Sequence, residues 1–321
     1  MNLVVLSGGT GTPKLLEGLE VIVGQERLNV IVNTADDFWY YGLYISPDID
    51  TVIYLFSNLL DKNKYWGIRD DTFNAFEMLK LYGMPGWFHL GDRDLAMHIF
   101  RTYLLRKGYT LTAVTKYICK RLGVKANVLP MSDDHVETYV LTDIGELHIQ
   151  EYLVKYRFKP KVYGITFPGI EKASATIDVL KALDEGDAIV LGPSNPINSI
   201  GPILNVKNVR SKIKERKEKD IPVIAISPII GTKALSGPAH IFMKALGYEP
   251  TPYGIAEIYS DIISDIIIHK TDEKYANIIR RKLGIEVHLE NIIMKDLDDK
   301  IRLAKKVLEI ISKKSSTKQP T

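Results

Sequence analysis

The sequence has very little cysteine, since Cys119 is the single one in 321 residues. An intramolecular disulfide is therefore excluded, and a metal site built from thiolates is disfavoured. Long apolar runs are missing too, because the first one, residues 3–6, is too short for a signal peptide or a membrane-spanning helix. We therefore expect a cytoplasmic protein without a membrane partner.

A large excess of one charge sign is also absent. Lysine and arginine number 42 against 39 acidic residues, so the net charge is only +3. Part of that excess lies in residues 313–321, whose mixture of Lys with Ser, Thr, Gln and Pro predicts a disordered tail. This balance gives no indication of a nucleic-acid partner. The chain also has neither a spaced His/Cys zinc pattern nor a nucleophile elbow.

The chain opens with a pattern that predicts a strand, a glycine loop and a helix. Apolar residues 3–6 form the strand, and Leu15, Leu16 and Leu19 then recur at helical spacing. Pro13 suits the first turn of such a helix, and a helix N-terminus beside glycines attracts anions. The candidate anion-binding residues are Gly8, Gly9, Thr10, Gly11, Thr12 and Lys14, with Thr12 expected to cap the helix.

This loop matches neither of the two common phosphate motifs. A Walker loop ends in Gly-Lys-Ser/Thr, but Pro13, Lys14 and Leu15 stand here. The dinucleotide pattern fits Gly9 and Gly11 but has Lys14 in place of its third glycine. The pattern favours an anion site of another lineage, able to hold a diphosphate or a nucleotide. The alternative is a tight turn that binds nothing.

The rest of the chain predicts an α/β protein with a Rossmann-like, open and mostly parallel sheet. We assign this core to residues 1–48 and 124–312, with a β-hairpin near residues 138–156 and a further sheet strand at residues 162–167. Residues 49–123 are predicted to be a helical insertion that forms one wall of a pocket. Its helices are expected at residues 71–81, 94–106 and 112–122, with N-caps at Asp70, Asp92 and Thr110.

Four predicted strands end in loops rich in glycine or polar residues. These loops are residues 7–12, 33–37, 192–196 and 227–231. Because the carboxyl ends of parallel strands line one edge of a sheet, the loops should converge on one crevice. Ser194 and Asn195 can donate hydrogen bonds to a phosphate or a base there, although such a turn taken alone is more often structural.

Paired carboxylates are the second chemical theme. Most of the acidic pairs are expected to be helix caps or solvated turns. A pair held near a diphosphate can instead bind Mg²⁺, and Asp48 and Asp50 are the candidates because both lie at a predicted helix start after Pro47. His89 and Arg93 are cations in an aromatic-rich loop and are candidates to hold an acidic group of the substrate.

Several blocks of the sequence together resemble those of the 2-phospho-L-lactate transferases. The blocks read SGGTGTPKLL, VNTADD, ISPDIDT, LGDRD, LPMSDD and PSNP, and they match in order and spacing as far as about residue 247. The resemblance implies transfer of a 2-phospholactyl group from lactyl-2-diphospho-5'-guanosine to the deazaflavin 7,8-didemethyl-8-hydroxy-5-deazariboflavin. It also implies Mg²⁺ as cofactor, release of GMP and a homodimer.

Carried over by motif, the resemblance places Asp50 at the deazaflavin or the metal and His89 against the same substrate. It places the guanosine diphosphate moiety along the Gly8 to Thr12 loop and the Ser194-Asn195 turn. Mg²⁺ on Asp48 or Asp50, the loop amides and Lys14 would neutralise the diphosphate. Asp37 or Asp50 would accept the alcohol proton. The motifs fit a donor that carries either phospholactate or phosphoenolpyruvate.

Two other functions fit part of the pattern. A nucleotide-sugar-binding regulatory protein of the same superfamily would bind without turnover, but residues 46–51 and 90–94 argue against it. A nucleotide-dependent kinase would consume ATP, and the missing Walker lysine-serine pair argues against that function. The transferase is the function that the whole pattern favours.

Overall fold

The computed structural model describes residues 1–316, with side chains through Lys314. Its strands are β1 (Leu3–Ser7), β2 (Leu28–Val32), β3 (Phe38–Tyr40), β4 (Leu43–Ile45), β5 (Asn127–Pro130), β6 (Tyr139–Thr142), β7 (Gly145–His148), β8 (Val162–Thr166), β9 (Ala188–Leu191), β10 (Val223–Ile226), β11 (Ile229–Ile230), β12 (Lys233–Ala234), β13 (Asp265–His269) and β14 (Glu286–Glu290).

The α-helices are α1 (Gly11–Val23), α2 (Pro47–Phe56), α3 (Asn74–Leu81), α4 (Asp92–Arg106), α5 (Leu111–Arg121), α6 (Ile177–Glu185), α7 (Ile200–Asn205), α8 (Val209–Glu218), α9 (Ala239–Ala245), α10 (Pro252–Ile258), α11 (Ala276–Leu283) and α12 (Leu297–Ser316). Short 3₁₀ turns occupy Gln25–Arg27 and Lys270–Tyr275, and a π-helical turn occupies Glu151–Lys155. None of the helices within residues 1–316 combines the length and apolar character needed to cross a bilayer.

Seven strands form one parallel sheet in the order β14-β13-β10-β9-β1-β2-β5. The sheet grows outward from β1 in both directions, as in the Rossmann fold. The predicted fold class is therefore confirmed. Because the chain changes direction across the sheet between β1 and β9, the carboxyl ends of these two strands open the crevice in which such folds bind ligands.

Helices cover both faces of this sheet. In β1, Val4 and Leu6 pack into one apolar core, whereas Leu3 and Val5 pack into the other. Such alternation within one buried strand is why its sequence is a continuous apolar run. The second core also holds the apolar residues of α1, including Leu15, and so fixes the helix that follows the glycine loop.

The predicted hairpin is confirmed, but its surroundings differ from the prediction. Strands β6 and β7 pair antiparallel, and β8 pairs with β6 in a separate three-stranded sheet. The strand expected at residues 162–167 therefore does not join the central sheet, because its partner is the hairpin. The chain after His148 turns into the π-helical Glu151–Lys155 instead of extending the second hairpin strand.

The three helices predicted between residues 71 and 122 are present as α3, α4 and α5. Two of the three predicted caps differ: Asp92 caps α3 and not α4, and Asp71, the neighbour of the predicted cap Asp70, caps α4. Asp71 accepts hydrogen bonds from two N–H groups in the first turn of α4, and Asp92 accepts from the first two N–H groups of α3. Thr110 caps α5 as predicted, accepting from the Ala113 N–H at 3.2 Å. The division of the chain into core and insertion remains a prediction.

The last helix, α12, packs along α1. The contact is close enough that a Cβ added to Gly18 would lie 2.3 Å from the carbonyl oxygen of Lys300. Residues 313–316, which the composition placed in a disordered tail, continue this helix. The remainder of that predicted tail, residues 317–321, lies outside the described residues.

Candidate functional site

A cavity of about 510 Å³ opens where the loops after β1, β2 and β9 meet. Loops and helix starts at the sheet edge contribute its polar wall, which comprises Gly9, Thr10, Gly11, Asp36, Asp48, Ser194, Asn195, Asn198 and Ser199. The apolar wall, the remaining apolar part of the lining, includes Tyr65, Trp66, Phe88, Leu153, Val154, Phe158 and Pro238. Three of the four loops predicted to converge thus do so, whereas residues 227–231 begin the β11–β12 ribbon instead.

Ser194 holds the glycine loop in place. Its buried Oγ accepts hydrogen bonds from the N–H groups of Gly8 at 3.2 Å and Thr12 at 3.3 Å. The Thr12 hydroxyl lies 2.7 Å from the same oxygen. Thr12 is therefore not the helix cap that the sequence predicted, because a serine from the loop after β9 takes that role.

The glycines of this loop are required by close packing. A Cβ added to Gly11 would lie 2.0 Å from the carbonyl oxygen of Pro193, and one added to Gly9 would lie 2.3 Å from Asp48 Oδ1. Since real Cβ atoms do not approach other atoms so closely, a side chain at Gly11 would displace the loop from Pro193, and one at Gly9 would displace the Asp48 carboxylate. The absence of a side chain at Gly9 lets the Asp48 carboxylate reach the start of α1.

Asp36 and Asp48 are the buried carboxylates of the cavity. Asp36 accepts hydrogen bonds from the Thr138 hydroxyl at 3.2 Å and from Asn198 Nδ2 at 3.1 Å, while Asp48 accepts from Asn33 Nδ2 at 3.1 Å. Burial raises the pKa of Asp36 to about 7. Burial, and then repulsion by Asp36, raise the pKa of Asp48 well above its ordinary value.

Asp50 faces away from this cavity. Both of its carboxylate oxygens accept hydrogen bonds from the fully buried guanidinium of Arg101, one of them at 3.0 Å. Asp37 is buried as well and accepts a hydrogen bond from the Ser46 hydroxyl at 2.5 Å. Neither carboxylate lines the cavity. The structure therefore does not place Asp50 beside Asp48 at one cation site, as the sequence had suggested.

The three cationic residues predicted to bind substrate, His89, Arg93 and Lys14, do not all line the cavity. His89 lines the cavity, with its ring 4.9 Å from that of Phe76. Arg93 donates to the carbonyl oxygen of Arg69 at 3.2 Å and does not line it. Lys14 lies with its ammonium 4.9 Å from the centre of the Tyr65 ring, behind the cavity wall. Of these three side chains, His89 alone faces the cavity.

The polar wall offers oxygen ligands that suit Mg²⁺. Asn198 Oδ1 is buried and has no hydrogen-bond partner among the described groups, and Asp48 Oδ1 lies beside Gly9. Proteins typically bind Mg²⁺ through one or two carboxylates together with phosphate oxygens of the substrate. Asp36, Asp48 and Asn198 fit that pattern. Residues 1–314 contain no group of three or more His, Cys, Asp or Glu side chains placed to hold a metal alone.

Sequence reasoning missed several residues of this cavity. Asp36 was not separated from Asp37, although adjacent residues in a turn point in different directions. Asn198 and Ser199 follow the Ser194 loop in a stretch that carries no recognisable binding motif. No motif or spacing in the sequence connects Lys64 and Trp66 with the glycine loop.

The fold and the cavity together define an α/β protein of the Rossmann-like class with a cavity at the carboxyl edge of its sheet. The family model for 2-phospho-L-lactate transferase CofD matches residues 3–314. The chain belongs to this family, as the resemblance of its sequence blocks predicted, and is therefore an enzyme of the transferase type.

Its relatives match over nearly their full lengths. The 2-phospho-L-lactate transferase of Methanosarcina mazei is 41% identical, with 96% of this chain and 99% of the relative aligned. The corresponding protein of Methanocaldococcus jannaschii is 40% identical, over 96% of this chain and 97% of the relative. A crystal structure of a UPF0052 family protein from Bacillus halodurans shares the fold, with a TM-score of 0.65 and 17% identity over 96% of this chain and 98% of that one.

Proposed function

We propose that this enzyme transfers a 2-phospholactyl group from lactyl-2-diphospho-5'-guanosine to 7,8-didemethyl-8-hydroxy-5-deazariboflavin and releases GMP. The relatives named as 2-phospho-L-lactate transferases support the type of reaction. The observation that carries the proposal is the cavity itself, which a glycine loop and two buried carboxylates line together with apolar and aromatic side chains.

The donor diphosphate would lie along Gly9, Thr10 and Gly11. These residues line the cavity at the start of α1, where free N–H groups and the helix dipole favour an anion. Asn195, which also lines the cavity, would donate a hydrogen bond to the same ligand. Ser194 contributes indirectly, because its hydroxyl already holds the loop through Gly8 and Thr12.

Asp36 and Asp48, with Asn198, would hold Mg²⁺ against the diphosphate. The ion supplies positive charge that offsets the charge developing on the phosphoryl oxygens. The chain itself keeps these ligands in place, since Asn33 and Asn198 donate to the two carboxylates. Asp37 and Asp50 do not line the cavity, so they would support the loop and the helix start that carry these ligands, through Ser46 and Arg101, without contacting the donor.

The acceptor would lie against the apolar wall. Trp66, Phe88 and Phe158 supply aromatic surface there, and Phe88 is further packed edge-on against Phe38, with ring centres 5.0 Å apart. A planar tricyclic ring system stacks well on such surfaces. Its ribityl hydroxyl would then point toward the polar wall and the diphosphate, which is the arrangement that in-line transfer requires.

The test is a reaction with purified protein, the guanylated lactyl donor, the deazaflavin and Mg²⁺. We expect the phospholactylated deazaflavin and GMP in equal amounts, measured by mass spectrometry and chromatography, and loss of both on chelation of Mg²⁺. Binding of the donor without either product would contradict the proposal and favour a nucleotide-binding regulatory protein. The same assay with a phosphoenolpyruvate-derived donor shows whether the enzyme prefers phospholactate or phosphoenolpyruvate as the transferred acid.

We also propose a cytoplasmic homodimer that has neither nucleic acid nor a membrane as a partner. The insertion helices support self-association, since Leu81, Tyr82, Ile99 and Tyr103 each expose about half or more of their surface. Sedimentation at micromolar concentration is expected to give twice the monomer mass. Replacement of Ile99 and Tyr103 by serine should shift the enzyme toward monomer.

A further inference from the structure

Residues 61–68 form a closed loop on the cavity wall, which we call the Tyr65 loop. Its ends are joined by an isolated antiparallel bridge between Leu60 and Ile68. Within it the Asp61 N–H donates to the Gly67 carbonyl at 3.1 Å, and the Tyr65 N–H donates to the Asp61 carbonyl at 2.8 Å. The loop is therefore a defined structure before any ligand arrives.

Tyr65 anchors this loop to the protein. Its hydroxyl donates to the buried carboxylate of Glu17 at 2.6 Å, and its ring lies 4.9 Å from the Lys14 ammonium and 5.1 Å from that of Lys300. Its backbone has a φ of 59°, which a non-glycine residue adopts only where surrounding contacts hold it. These contacts fix the loop to both α1 and α12.

The anchor determines where the neighbouring side chains lie. Lys64 and Trp66, on either side of Tyr65, both line the cavity. The Lys64 ammonium lies 5.2 Å from the centre of the Trp66 ring and 3.1 Å from Asp61 Oδ2, and the side chain is half exposed. Lys64 and His89 are the cationic residues among the described cavity lining.

The positions of the charged residues in the cavity limit where the transferred group can bind. A 2-phospholactyl group carries a carboxylate in addition to its phosphate. On the polar wall that carboxylate would meet Asp36, Asp48 and the donor diphosphate, whose combined negative charge exceeds the charge of the proposed Mg²⁺. The favourable position is instead beside an ammonium, which binds a carboxylate through charge-assisted hydrogen bonds.

We propose that Lys64 binds the carboxylate of the transferred acid and so makes the enzyme selective for 2-phosphoacyl donors over donors without a carboxylate. The inference rests on the proposed transferase function. Lys64 is a better candidate than His89 because its long, half-exposed side chain lines the cavity and can turn its ammonium from Asp61 to a ligand there, whereas the His89 ring packs against the Phe76 ring. In the absence of donor, the Lys64 ammonium forms an ion pair with Asp61.

The experiment compares two donors with four proteins. One donor is lactyl-2-diphospho-5'-guanosine, and the other is its ethyl analogue, in which hydrogen replaces the carboxylate. The proteins are the wild type, Lys64→Met, Lys64→Arg and Lys62→Met. Lys62 is the matched control because it belongs to the same loop but pairs with Glu17, 2.9 Å away, and does not line the cavity.

We expect the wild type to prefer the lactyl donor by about 10- to 100-fold in kcat/KM, the range typical of a hydrogen bond to a charged group. Lys64→Met should lose most of this preference through a higher KM for the lactyl donor, with little change for the ethyl analogue. Lys64→Arg and Lys62→Met should keep it. Thermal unfolding of each variant reports whether the loop and the fold are intact.

An undiminished preference in a folded Lys64→Met enzyme would overturn the assignment while leaving the transferase function standing. Equal loss of preference in Lys62→Met would also overturn it, because the effect would then belong to the loop as a whole. If the wild type turns over neither donor, the proposed function fails and this inference fails with it. If Lys64→Met does not fold, Lys64→Gln replaces it with the same expected result.

Discussion

The buried carboxylates of this enzyme occupy two kinds of region, which differ in how negative charge is balanced. Away from the cavity Glu17 is paired with Lys300 at 2.8 Å and Asp50 with Arg101, both buried cations, whereas Asp37 accepts a hydrogen bond from the Ser46 hydroxyl and has no ion pair with the side chains of residues 1–314. In the cavity, Asp36 and Asp48 have hydrogen-bond donors but no ion pair with any side chain of residues 1–314. Burial is similar in the two regions, and only the partners differ.

The pKa values follow this difference. Hydrogen bonds from Lys300, Tyr65 and Lys62 outweigh burial at Glu17 and lower its pKa to about 2. Burial dominates at Asp36 and raises its pKa to about 7. Buried charges without a partner are costly, so they persist where a ligand supplies the missing charge. Burial also raises the pKa of Asp37, but Asp36 and Asp48 line the cavity and Asp37 does not, which supports the cavity pair as the proposed ligand site.

The largest expected effect is that of Asp48→Asn on turnover. Loss of this carboxylate should reduce kcat by about 10³-fold, as for other groups that stabilise charge in the transition state. The free energy of unfolding should not fall, because no ion pair is broken. Product formation and urea unfolding measure the two quantities. A variant with turnover within tenfold of wild type would remove Asp48 from the site.

The opposite pattern is expected for Arg101→Met. This change leaves Asp50 buried without its cation and should lower the free energy of unfolding by about 3 to 5 kcal/mol. The double variant Asp50→Asn, Arg101→Met should recover part of that loss, which a double-mutant cycle in urea would show. Independent, additive losses would contradict the pairing.

A smaller effect, with a clear pH dependence, is expected for Glu17→Gln. Because the pKa of Glu17 is about 2 in the folded protein and about 4.5 ordinarily, its contribution is complete above pH 4.5 and is lost as the pH falls toward 2. Above pH 4.5 the variant should be about 2 kcal/mol less stable than the wild type. The two unfolding curves should converge in acid, and parallel curves would count against the ion pair.

The smallest effect, of opposite sign, is expected for Asp36→Asn. The raised pKa of Asp36 means that the wild type without divalent cation loses stability as the pH rises from about 4 to about 7. The neutral amide removes that loss and should raise stability by about 1 kcal/mol at pH 8 in the presence of chelator. Thermal unfolding with EDTA tests this prediction. A destabilised variant would show that Asp36 does not carry the cost of a buried charge without a partner.

The sequence predicted the sheet, the hairpin and the glycine loop because each depends on local pattern. It could not separate Asp48 from Asp50. Two residues apart on a helix, they point about 200° apart, so one faces Gly9 and the other faces Arg101. Which side faces the cavity depends on how α4 packs against β4 and α2, and no local signal contains that packing.

The lack of a local signal for long-range packing also explains why the helix cap and the position of β8 differ from the predictions. Ser194 fixes the glycine loop from 182 residues further along the chain than Thr12, so only the β1–β9 neighbourhood in the sheet brings them together. Strand β8 has an ordinary strand pattern, and its pairing with the hairpin depends on tertiary contacts that this pattern does not contain. Propensity identifies elements, whereas long-range contacts decide their partners.

The contact between α1 and α12 has a consequence for the order in which the enzyme matures. Glu17 emerges from the ribosome 283 residues before Lys300, the cation that pairs with it. Until α12 is synthesised, Glu17 and Tyr65 lack one of their main contacts, and the Tyr65 loop has only part of its anchor. A nascent chain that stops before α12 therefore carries the glycine loop and both cavity carboxylates without the finished wall opposite them.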